Sequence, residues 1–132
     1  VLLAELDEAA ALSSFEQAAR AMLAALARSY IERPAIVMAL YYIESLVAHD
    51  DEIAQMRASL GRIVTRLLQD QDIPDAAVAA RDVVAIARGM AISAGAAGET
   101  DQQAVVERMY RAVSGYLGMP VSAAGSKASA AS

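Results

Sequence analysis

His49 is followed directly by Asp50, Asp51 and Glu52, the densest set of potential metal ligands in the chain. Four consecutive residues cannot all converge on one ion from the start of a helix, and a site here needs donors from another helix. The competing reading is a helix cap followed by acids that complement the helix N-terminus, and it is preferred. No Glu-x-x-His pair occurs, which argues against a carboxylate-bridged di-iron bundle. Ser45 and His49 lie one helical turn apart, but there is no Gly-x-Ser-x-Gly elbow to build an oxyanion hole beside them. Gly-x-Gly phosphate loops are absent, and so are cysteines. No catalytic residue, no metal ligand set and no cofactor is expected.

The residues that suggest chemistry of another kind are methionines and tyrosines. Thioethers repack around a guest and phenols offer a polar handle, so Met and Tyr suit adaptable pockets. The candidate pocket set is Met22, Leu26, Tyr30, Met38, Tyr41, Tyr42, Met56, Leu60, Ile63 and Met90, chosen from helix faces. Plain core filling is the alternative for the same residues. Glu44 could orient a cationic or hydroxylated ligand, or simply point to water.

Amphipathic helices must position these side chains. Val1–Leu12 has a helical pattern and reads as the end of a helix that began earlier. Ser13 with Glu16 forms a capping box for Phe15–Tyr30. There Phe15, Ala18, Ala19, Met22, Leu26, Ser29 and Tyr30 share a face, with Gln17, Arg20, Ala24 and Arg28 opposite. Arg33-Pro34 breaks the chain before Ala35–Ala48, which is apolar nearly all round and is expected to be the central helix. Asp50 caps Ile53–Leu68, the cleanest amphipathic pattern, with Arg57, Arg62 and Arg66 on its polar side. The polar linker Gln69–Pro74 precedes Asp75–Ala97, which carries an edge of small residues and is stopped by Gly98. Thr100 with Gln103 is a second capping box, opening Asp101–Leu117. Val121–Ser132 is rich in Ala, Ser and Gly and is expected to be disordered.

A single all-α domain is therefore expected over residues 1–118, an antiparallel bundle of about six helices, with a disordered tail over 119–132. Of the 132 residues, 57% are apolar, above the roughly 45–50% usual for soluble domains. The excess predicts surface reserved for a partner or a guest. The net charge of −5 argues against gripping nucleic acid, whose phosphates need a basic face. No apolar run reaches the roughly 20 residues of a membrane span. The acids Glu5, Asp7 and Glu8 rule out a signal peptide at the start. The two last helices are expected to form a four-helix bundle between two copies of the chain. The interface candidates are Ala80, Val84, Ala87, Ala91 and Ala94 with Val106, Tyr110, Val113 and Leu117.

The order of elements resembles the C-terminal regulatory domain of the tetracycline-repressor (TetR) family of bacterial transcription regulators. VLLAELDEAAAL resembles the helix that connects the family's DNA-binding module to its regulatory domain. ARSYIERPAIVMALYYIE resembles the family's helix, Arg-Pro break and helix. AARDVVAIARGMAISAG resembles its first dimer helix, and TDQQAVVERMYRAVSGYLG its closing helix. The family's N-terminal helix-turn-helix has no counterpart in this sequence. The resemblance implies a cytoplasmic homodimer that senses a small, mainly apolar effector and reaches DNA only through that missing module. Effector binding would shift Val1–Leu12 by favouring one of two arrangements.

Two other functions compete. One is a helical protein–protein interaction module with no small ligand. The other, ranked last, is a small all-helical enzyme of the chorismate-mutase type, which needs several cations converging in the interior. A closed apolar cavity of several hundred Å³ would favour the sensor, and a filled core the module.

Overall fold

Alanine decides how closely the helices of this chain approach. The computed structural model describes residues 4, 5, 8, 14–33, 35, 39, 42, 43 and 51–119. Among these lie four helices and no strand: α1 (Phe15–Glu32), α2 (Asp51–Asp70), α3 (Ala76–Ala96) and α4 (Gln102–Leu117). The all-α class holds, while about six helices were expected. Val1–Leu12 and Ala35–Ala48 fall largely outside the described residues, as does the tail over 120–132.

The hub of the described bundle is α3, which packs against α1, α2 and α4. Its buried positions include Ala76, Ala79, Ala80, Val83, Ala87, Ala91 and Ala94, spaced three or four apart. Side chains this small let three neighbours close on one helix. The core forms two clusters. Met22, Val64, Leu68, Val83 and Val113 anchor the first, and Leu23, Tyr30, Val105, Met109 and Tyr110 the second.

The helix ends show why the boundaries fall where they do. Ser14 caps α1, its hydroxyl accepting from the Gln17 amide at 3.1 Å. The cap was expected one residue earlier, at Ser13, in a box with Glu16. The Glu16 carboxylate instead accepts from Arg20 at 3.1 Å. Likewise Asp101, rather than Thr100, caps α4 by accepting from the Ala104 amide. Both shifts exchange one capping residue for its neighbour. Helix α2 runs two residues past the expected Leu68. Its connection to α3 bends through Asp72 and Asp75, both with positive φ, a conformation that Asp tolerates better than most residues. Gly98 and Gly118, both at positive φ, close α3 and α4 as the sequence predicts.

Arg20 corrects a second expectation. It was assigned to a solvent face, yet it joins two helices. Its guanidinium lies 4.3 Å from the centre of the Tyr110 ring and bonds Glu107 on α4 as well as Glu16. Burial works against its charge, but the two carboxylates outweigh that and raise its pKa.

Met109 is fully buried on α4. Met109→Ala is expected to destabilise the chain by about 2–5 kcal/mol. Urea denaturation followed by circular dichroism checks this through a lower midpoint at unchanged slope.

Candidate functional site

The helices leave a gap where the long side chains of α1 and α2 meet the short ones of α3. The cavity measures about 80 Å³ and is partly open to solvent. Phe15, Ala19, Met22, Leu23 and Leu26 of α1 form one wall. Leu60, Val64, Leu67 and Leu68 of α2 form another. Val83, Val84 and Ala87 of α3 close the floor with Val113 of α4. Helices α1, α2 and α3 each contribute residues three or four apart, the spacing that gathers side chains on one face. Among the described residues, the wall exposes no polar atom.

Three of the ten expected pocket residues, Met22, Leu26 and Leu60, line this cavity. Ile63 packs nearby against the first core cluster. Tyr30 and Met90 belong to the second cluster, away from the cavity wall. Met56 is 51% exposed and Tyr42 is 65% exposed, so neither is a wall residue. Met38 and Tyr41 lie outside the described residues, as do Glu44, Ser45, His49 and Asp50. Among the described residues no group of acidic or His side chains is arranged to hold a metal ion. The residues missed by sequence reasoning are mostly plain aliphatics, Leu23, Val64, Leu67, Leu68 and Val83. Their helical spacing was visible, but spacing alone does not separate a cavity wall from filled core.

Within the single chain, most of the expected interface residues are buried: Ala80, Ala87, Ala91, Ala94, Val106, Tyr110 and Val113. Val84 and Leu117 are partly buried against the first cluster. The small edge of α3 is occupied by the chain's own helices. The outward side of α3 instead shows Val78, Ala85, Gly89, Ser93 and Ala96, and α4 shows Arg108, Arg111, Gly115 and Tyr116. Among the described residues, a methyl group added at Gly89 or Gly115 would meet no atom within 4 Å. Mid-helix Gly costs roughly 0.5–1 kcal/mol relative to Ala, and packing among the described residues gives neither glycine a reason.

Two polar links complete the surroundings. The Tyr116 hydroxyl donates to Asp82 across α3 and α4 at 2.5 Å, and this bond lowers the Asp82 pKa and raises that of Tyr116. Arg28 of α1 pairs with Glu5 at 2.6 Å, tying the segment ahead of α1 to the helix that supplies the first cavity wall.

No helix of the described residues is long and apolar enough to cross a membrane. No curated protein and no solved structure matches the chain. A family model described as the tetracyclin repressor-like, C-terminal domain matches residues 14–117, a span that takes in all four helices, both core clusters and the whole cavity. With that match over most of its length, the chain belongs to the tetracyclin repressor-like C-terminal domain family.

Proposed function

We propose that this chain is the effector-sensing and dimerising part of a cytoplasmic transcription regulator, whose DNA-binding heads are not in this sequence. The observation that carries the proposal is the apolar cavity between α1, α2 and α3, in a chain whose family is regulatory. At about 80 Å³ and partly open, the cavity lies between the closed space of several hundred Å³ that would favour a sensor and the filled core that would favour a module, and it has room for a small effector or part of one. An effector that binds one arrangement of α1 more tightly than another shifts the population toward it. The Glu5–Arg28 pair offers a route by which that shift reaches the N-terminal segment.

Dimerisation is proposed through the outward sides of α3 and α4. The unexplained glycines Gly89 and Gly115 support it, because a second backbone can approach closely where a Cβ is missing. Such an interface is self-complementary about a two-fold axis.

A thermal-shift screen of small molecules tests the sensing. A compound present at about 100 times its Kd should stabilise the chain by about 2.7 kcal/mol. Leu26→Asn, in the cavity wall, should remove most of that shift. Tyr42→Ala, at an exposed position, should leave it in place. A broad screen without a hit would favour the interaction module instead.

A further inference from the structure

Among the described residues, no side chain in the wall of the cavity can hold a hydrogen bond. The lining side chains are Phe, Met, Leu, Val and Ala. Apart from Phe15 in the first turn of α1 and Leu67 and Leu68 in the last turn of α2, they sit inside their helices, where backbone groups bond each other. Among the described residues, the tyrosines that could have offered a hydroxyl are elsewhere. Tyr30 and Tyr110 lie in the second core cluster, and Tyr42 is exposed. A polar atom brought into this space loses its water and gains no partner. An apolar wall of this kind favours apolar guests over polar ones.

We propose that the cavity takes a hydrocarbon group carrying no hydrogen-bonding atom. The proposal rests on the sensor function above and names the ligand chemistry of the same site. The group is either a free small hydrocarbon or the alkyl end of an amphiphile whose polar head stays in the open mouth.

Isothermal titration of the whole chain with toluene, phenol, and the carboxylates butanoate, hexanoate and octanoate tests it. Toluene is expected to bind one site, and phenol, similar in size but with a hydroxyl, about five- to a hundred-fold more weakly. If the natural ligand is an amphiphile, affinity in the carboxylate series rises about fourfold per methylene until the space is full. If toluene binds and no carboxylate does, the guest is a free hydrocarbon. Val84→Phe, from the α3 side, and Leu60→Phe, from the α2 side, fill the space and should each weaken toluene at least tenfold. Two such variants guard against one failing to fold. Phenol binding as tightly as toluene would overturn the hydrocarbon class while leaving the sensor function standing. Toluene binding untouched in both folded variants would overturn the assignment to this cavity. No binding by any of these probes would overturn the hydrocarbon class, and a broad screen without a hit would remove the sensor function with it.

Discussion

Ala91→Glu is expected to unfold the chain rather than release a folded monomer. Ala91 is fully buried on α3, within the second core cluster. A glutamate there adds volume to a filled space, which typically costs about 1–3 kcal/mol. It also buries a carboxylate without a partner, which costs several kcal/mol more or forces the group to stay protonated. Domains of this size hold only about 5–15 kcal/mol in reserve. The far-ultraviolet helical signal should therefore collapse, or the melting temperature fall steeply, at neutral pH. The sign of the pH response follows from the same burial. A carboxyl held neutral in the folded state has a raised pKa, so the folded chain binds more protons than the unfolded one. Stability then recovers as pH falls toward about 4. Ala91 was expected on sequence grounds to sit between two copies of the chain. If it did, Ala91→Glu would give a helical monomer of normal stability, and circular dichroism with sedimentation distinguishes the two results.

Gly89→Arg is expected to do the opposite: keep the fold and split the dimer. Gly89 is exposed and mid-helix, and a side chain there meets nothing among the described residues. Arg is a better helix former than Gly, so α3 itself should gain some tenths of a kcal/mol to about 1 kcal/mol. Between two copies the same side chain would hold the backbones apart. It would also add positive charge to a surface already carrying Arg81, Arg108 and Arg111. A two-fold axis repeats the insult on both sides. Association should weaken about 100-fold or more, the scale of a central interface residue. Sedimentation at micromolar concentration should give a dimer for the unmodified chain and a helical monomer for Gly89→Arg. A dimer for both would place the interface elsewhere, and a monomer for the unmodified chain would overturn dimerisation.

The contrast between Ala91 and Gly89 shows how far the sequence is legible. Periodicity identified a small edge on α3, and the edge is real. It could not say which neighbour meets that edge, because Ala packs equally well against its own chain and a second copy. Nothing in the helical pattern singles out Gly89, since the significance of a glycine depends on what surrounds it. The all-α class, the glycine stops and most helix limits follow from local rules, and they hold to within two residues. The caps at Ser14 and Asp101 slid by one because adjacent residues can each do the job. Arg20 lies opposite the apolar face of α1 in the helical pattern, yet a long side chain at a face boundary can lie along an aromatic ring and still reach two acids. The cavity was harder to find. Attention to Met and Tyr recovered Met22 and, through helix faces, Leu26 and Leu60. The rest of the wall is Leu, Val, Ala and Phe, which read as ordinary core until the gap between helices is measured.

The most direct test of the sensing function is methyl resonance spectroscopy of chain labelled at its methionine methyl groups. Met22 lines the cavity, whereas Met56 is half-exposed on α2 and outside the wall. Titration with a compound that raises the melting temperature should move the Met22 methyl resonance in step with binding and leave that of Met56 in place. A stabilising compound that shifts Met56 and leaves Met22 unmoved would contradict the account.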